Sequence, residues 1–94
     1  MATADEVKLE VFSIIRAIVE DEAISVSETT PLIGGGVLDS MKLVEVCLAL
    51  EDRAAELGFE FDWTSEQAMS KSRGMFRTAG ALADEFARQM GAAQ

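Results

Sequence analysis

Apolar residues recur at spacings of three and four in three stretches of the chain, and the gaps between them are polar or glycine-rich. The first stretch runs from about residue 3 to about residue 20. Val7, Val11, Ile14, Ile15, Ile18 and Val19 there share one helical face. Thr3 with Glu6 three residues on is a capping-box signature at its start. The second stretch runs from about residue 40 to residue 57. Leu43, Cys47, Leu50, Ala54 and Leu57 form its core stripe, and Gly58 is a stop signal. Met41, Val44 and Leu48 form a second apolar set on a neighbouring face, with Glu45, Glu51 and Asp52 close by. This helix is therefore wider in apolar character than one core contact requires. The third stretch, capped by Thr78, runs to about residue 90. It carries Leu82, Phe86 and Met90 four apart, with Ala79 and Ala83 beside them.

The connections add detail. A loop of about sixteen residues, 23–38, joins the first two helices and holds Ser25, Ser27, Thr29, Thr30, Pro31 and three consecutive glycines. Loops of that length in a small domain are often functional. Ile24, Val26, Leu32 and Ile33 are expected to pin it to the core. The acids Glu20, Asp21 and Glu22 oppose the dipole at the end of the first helix, so either that helix stops early or the cluster serves as surface charge. Phe59, Phe61 and Trp63 alternate as a strand would, but the run is short and no partner strand is present. They read as an aromatic plug. Thr64 with Gln67 repeats the capping-box signature and predicts a short helix to about residue 70. Lys71-Ser72-Arg73-Gly74 is a polar break. The expected architecture is all-α: a small four-helix bundle of three longer helices and one short one. It forms a single domain over 1–94, ordered from about 3 to 90 with flexible termini.

Charge and composition narrow the function. A net charge of −9 with 49% hydrophobic residues marks a folded acidic domain. Nucleic acid and anionic membranes call for basic patches, so basic protein partners are favoured. The chain has no histidine and no tyrosine, which removes the commonest general base and zinc ligand. Cys47 is the lone cysteine and reads as a buried small hydrophobe. No metal site is expected; the acids at 20–22 lack the ligand spacing of an EF-hand loop. Neither a signal peptide nor an apolar run long enough for a membrane span is seen, so a cytoplasmic protein is expected. Nothing demands more than a monomer.

One stretch carries the candidate chemistry. Gly34-Gly35-Gly36 is followed by Val37-Leu38-Asp39-Ser40-Met41. Asp39 is a favoured N-cap, and Ser40 falls in the first turn of the long second helix, where the dipole favours an anion. The glycines lack the Gly-Lys-Ser/Thr ending of a phosphate-binding loop. With no histidine to serve as its base, Ser40 is not read as a catalytic nucleophile. It is read as a handle for a phosphate-linked group.

These residues resemble the acyl carrier and peptidyl carrier protein family. The resemblance rests on the Gly-rich approach, Leu38-Asp39-Ser40-Met41, then Val44-Glu45 and Leu50-Glu51-Asp52. Thr78-Ala79-Gly80-Ala81-Leu82-Ala83 is similar to the family's opening of the last helix. The resemblance implies that a phosphopantetheinyl transferase moves 4′-phosphopantetheine from coenzyme A onto Ser40, with Asp39 in support. The arm's thiol would then hold acyl groups as thioesters, and the chain itself would catalyse nothing. It also implies that Met41, Val44, Glu45, Leu48, Glu51 and Asp52 dock partner enzymes with basic surfaces: the transferase, an acyl or aminoacyl ligase, and downstream synthases or transferases.

Departures from the family pattern refine the expectation. Lys42 and Arg53 interrupt the acidic run of the second helix, which predicts a less uniformly negative docking face. Met41 after the serine, and a longer segment over 70–76 containing Lys71 and Arg73, resemble D-alanyl carrier proteins. They point to a specialised carrier in a fatty-acid-like, polyketide or other secondary-metabolite pathway. An aminoacyl carrier, D-alanyl-like or peptidyl, is the alternative. An acidic helical adaptor without a prosthetic group is a further one.

Overall fold

The computed structural model describes residues 3–19, 25–32, 38–63 and 76–92. Three helices lie among the described residues: α1 (Ala4–Val19), α2 (Ser40–Leu57) and α3 (Ala79–Ala92). Among the described residues there is no strand, only one isolated antiparallel bridge between Pro31 and Thr78. The predicted short helix over 64–70 and the polar break after it lie outside the described residues, as do Ile24, Ile33 and the acids at 20–22.

Each helix starts where a side chain can take the place of the missing turn. Thr3 Oγ1 accepts the Glu6 N–H at 3.2 Å, as the capping-box spacing predicts. Asp39 Oδ1 accepts the Lys42 N–H at 2.8 Å. Thr78 Oγ1 accepts the Ala81 N–H at 3.1 Å. The end of α2 is equally specific. Gly58 adopts φ 91°, which lets its N–H reach the Ala55 carbonyl at 3.2 Å while the Phe59 N–H reaches Ala54 at 2.9 Å. This paired closure reverses the chain and drops Phe59 into the core.

α1 packs most extensively on α3, less on α2, and α2 barely touches α3. Val7, Val11 and Ile15 of α1 are fully buried, with Phe12, Ile14, Ile18 and Val19 packed at the edge. α2 buries Val46, Cys47, Leu50 and Ala54, so its core stripe is rotated slightly from the predicted one: Val46 joins it, and Leu43 and Leu57 lie at its margin. α3 buries Ala79, Leu82, Ala83, Phe86 and Met90. Phe86 is the aromatic centre. Phe59 meets it edge-on and Phe61 meets it tilted, both with ring centroids 5.2 Å away. The aromatic plug is thus a packing device. The backbone of Asp62 pairs with a side chain: its N–H donates to Gln89 Oε1 at 2.7 Å, and Gln89 Nε2 donates to its carbonyl at 2.9 Å.

Residues 28–32 dock on the beginning of α3. The Ala79 N–H donates to the Thr30 carbonyl at 2.9 Å, and the Gly80 N–H to the Glu28 carbonyl at 3.0 Å. These are first-turn donors that have no partner inside the helix. The Leu32 N–H completes the joint by donating to Arg77 at 3.2 Å. Lys8 of α1 spans the same joint, with Nζ 3.1 Å from Glu28 and 2.8 Å from Asp84. Those two carboxylates, Asp84 foremost, push its ammonium above the ordinary lysine range.

Gly80 is the tight point of that joint. A Cβ there would lie 2.6 Å from the Glu28 carbonyl oxygen and 2.9 Å from its Cα, both backbone atoms that cannot swing aside. Gly91, in the same helix, has nothing within 4 Å of its would-be Cβ. Gly80→Ala is therefore expected to destabilise by about 1–3 kcal/mol. Gly91→Ala should be neutral or stabilising by up to about 1 kcal/mol. Urea unfolding of the two variants checks the contrast, and equal effects would refute it.

Candidate functional site

The approach to Ser40 is fixed at both ends. The Leu38 N–H donates to the Leu32 carbonyl at 2.8 Å, and both side chains are buried. Residues 33–37, including the three glycines, fall between these anchors and outside the described residues. Leu38 is thus tied both to Leu32 and to the core immediately before Asp39. Asp39 follows in extended conformation (φ −87°, ψ 178°) and caps α2. Ser40 is the first residue of α2, between exposed Asp39 and exposed Met41. Its backbone lies at the positive end of the helix dipole.

The remaining predicted residues lie along α2. Met41, Val44 and Leu48 are 78%, 43% and 50% exposed. At about 100° per residue they sit on the side of α2 turned away from its buried set, farther round than the predicted neighbouring face. Exposed Glu51 flanks this stripe on one side, and exposed Glu45 and Asp52 on the other. The structure therefore brings Met41, Val44, Glu45, Leu48, Glu51 and Asp52 onto one solvent-facing strip that starts at Ser40. Three large apolar side chains thus stand in solvent between carboxylates.

Lys42 and Arg53 do not interrupt it, contrary to the prediction. Both point to the α1 side of α2. Lys42 Nζ donates to the Ile18 carbonyl at 3.0 Å, placing a cation at the negative end of α1. Arg53 grips Glu10 of α1 through Nη2 at 2.6 Å and Nε at 3.2 Å, and holds Glu56 through Nη1 at 2.9 Å. Spacing along α2 could have shown this: positions 42 and 53 lie three turns apart on one side of the helix, away from Val44 and Leu48. The exposed strip is thus acidic on both margins.

Sequence reasoning missed one polar contact of this strip. Trp63, placed in the aromatic plug, packs at the core edge and also donates its indole N–H to Glu51 Oε1 at 2.7 Å. The signal was available, because a half-buried tryptophan needs an acceptor for that N–H. Beside this contact a cleft of about 540 Å³ is lined by Glu51, Ala55, Phe59, Glu60, Phe61 and Asp62.

Cys47 is buried inside α2, as predicted. Burial, aided by the nearby charge of Glu51, pushes its thiol up to about 12. Among the described residues no group of three or more His, Cys, Asp or Glu is placed to hold a metal ion, and no helix is long and apolar enough to cross a membrane.

Comparison with protein-family models, curated proteins and solved structures finds no match to this chain. The functional reading therefore rests on the residues and their arrangement.

Two expectations test the local chemistry. Asp39→Ala removes the cap of α2 and should cost about 1 kcal/mol in urea unfolding; no loss would show that the cap does not hold the start of the helix. The Cys47 thiol keeps its proton in the folded state to about pH 12, while the unfolded thiol releases it near its ordinary value of 9. The unfolded chain then binds fewer protons, so stability should fall as pH rises from about 9 to about 12. Cys47→Ala lacks this component. The stability difference between wild type and Cys47→Ala should therefore shift against wild type over that interval and stay constant below it.

Proposed function

We propose that the chain is a carrier protein of the acyl and peptidyl carrier type, bearing 4′-phosphopantetheine on Ser40. The observation that carries the reading is the joining of a core-anchored, glycine-rich loop to a capped helix whose first residue is a serine and whose outer face is apolar with acidic margins. The loop presents the attachment point. The helix N-terminus suits the phosphodiester that would form there. The strip of Met41, Val44 and Leu48 with Glu45, Glu51 and Asp52 offers partner enzymes a small apolar contact and a field that steers basic surfaces.

In this reading a phosphopantetheinyl transferase joins the Ser40 hydroxyl oxygen to the phosphorus of the pantetheine phosphate. The pyrophosphate bond of coenzyme A breaks, and the nucleotide leaves. The arm supplies the thiol that carries cargo as a thioester; the protein supplies the mount and the docking face. Ligases and downstream synthases or transferases do the catalysis, in keeping with a sequence that has no histidine. The cargo is an acyl intermediate of a fatty-acid-like, polyketide or other secondary-metabolite pathway, with an aminoacyl group as the alternative. The carrier reading includes the fourth, short helix expected from the Thr64–Gln67 signature. A monomer in the cytoplasm completes the reading.

The exposed strip supports a second reading, an acidic adaptor that binds a basic partner without any prosthetic group. One experiment separates the two. The protein is incubated with coenzyme A, magnesium and a broad-specificity phosphopantetheinyl transferase, and its intact mass is measured. The expected result is a gain of one phosphopantetheinyl group that disappears in Ser40→Ala. No gain, or a gain that survives Ser40→Ala, overturns the carrier reading.

A further inference from the structure

The Trp63–Glu51 contact joins the docking strip to the segment that leaves α2, and it is built to be rigid. α2 closes at Gly58 with paired carbonyl contacts. Phe59 and Phe61 then lock onto Phe86. The Gln89 side chain holds the Asp62 backbone from both sides. Trp63 follows at once and packs against the core. Its indole N–H therefore comes from a fixed base and meets Glu51 Oε1 at 2.7 Å.

Glu51 lies on the margin of the apolar strip, on the helical side of Leu48 and Ala55 three and four residues away. A carboxylate has two oxygens with about four acceptor positions. Trp63 occupies Oε1, and Oε2 can still face a cation. An unheld glutamate on a helix surface must surrender its rotamer freedom when a partner's cation fixes it; for one such side chain the effect on affinity is about two- to tenfold. Holding Glu51 in advance removes that loss. Its neighbours in the cleft, Glu60 and Asp62, extend the negative potential around the same point.

We propose that Trp63 is a positioning residue of the docking strip: its indole N–H sets the Glu51 carboxylate to receive an arginine or lysine of the partner enzyme at the Ala55 end of α2. The proposal rests on the carrier reading and deepens it. It specifies a partner surface with an apolar patch for Met41, Val44 and Leu48 and a cation about three helical turns beyond the modified serine.

The test measures kcat and KM for the protein as substrate of the broad-specificity transferase, in wild type, Trp63→Phe, Glu51→Gln and the double variant. Phenylalanine keeps an aromatic ring at the core edge and removes the donor together with the second ring, a loss of packing that would act equally in both Glu51 backgrounds. The expected result is that Trp63→Phe raises KM about two- to tenfold with kcat unchanged. In the Glu51→Gln background, Trp63→Phe should add nothing, because the charge it positions is gone. A second readout needs no partner. Trp63 is the one tryptophan of the chain, so a single indole N–H resonance reports on it, and Glu51→Gln should move that resonance in the free protein. An unchanged KM in Trp63→Phe, an equal rise in both backgrounds, or an unmoved resonance each overturns the proposal while leaving the carrier reading standing. Failure of the wild type to be modified at all overturns both.

Discussion

The placement of Ser40 depends on a backbone joint between residues 28–32 and the start of α3. Two loop carbonyls, from Glu28 and Thr30, take the N–H groups of Gly80 and Ala79 that the helix itself cannot use. The loop thereby gains fixed partners, and the helix gains a cap. Leu32 is held in the core by the same joint, and the Leu38 N–H closes on the Leu32 carbonyl. Asp39 and Ser40 follow directly. A long connection of this kind would ordinarily leave its far end free to wander. Here the far end is tied to the near one, and the near one to α3, before α2 begins. Gly80 is what makes the approach possible, because the Glu28 backbone occupies the space of a side chain. The Thr-x-Gly opening of the last helix is therefore a statement about the first loop.

α2 reconciles three demands by using its circumference. One side buries Val46, Cys47, Leu50 and Ala54. A second side carries its two cations, and both reach α1: Lys42 to the end of that helix, Arg53 to Glu10. The third side keeps Met41, Val44 and Leu48 in solvent between carboxylates. Exposing three large apolar side chains on one strip works against solubility and against stability. The cations do not soften the strip's charge; they fasten α2 to the body of the protein. The strip keeps its acidic margins, and α2 is braced to α1 on a side away from it.

Much of this was legible in the residues, and the failures have physical causes. Helix starts at Thr3, Asp39 and Thr78 and the stop at Gly58 could be read because caps depend on short local spacings. The buried sets of α1 and α3 could be read because each helix has one apolar face. α2 was harder because it has two, and periodicity does not say which of two apolar sets faces inward; Val46 was missed and the exposed set was placed too near the core. Lys42 and Arg53 were misread as docking-face cations because a sequence lists charges in order, while a helix distributes them around its axis. The Lys42–Ile18, Gln89–Asp62 and Trp63–Glu51 contacts join positions far apart in the chain or across elements, and no local spacing announces them. The aromatic alternation over 59–63 resembled a strand because Phe59 and Phe61 are buried while Glu60 and Asp62 between and after them are exposed, yet the backbone of Asp62 pairs with a glutamine side chain and not with a strand.

In the carrier reading, the modest size of the strip is itself a requirement. A group carrier must leave each enzyme before meeting the next, so its docking cannot be strong. Three exposed side chains, none larger than methionine, remove only a small apolar area from water, which limits how long a complex lasts. Weak contact alone would also make encounters unproductive. The net charge of −9 offsets this, because long-range attraction raises the encounter rate with basic surfaces without adding much to the lifetime of the complex. Speed of arrival and speed of release are thus assigned to different features, charge for the first and a small apolar strip for the second. A fixed carboxylate at Glu51 fits the same division: it sharpens the orientation of a brief complex, so that Ser40 and whatever it bears reach the right place within the time the strip allows.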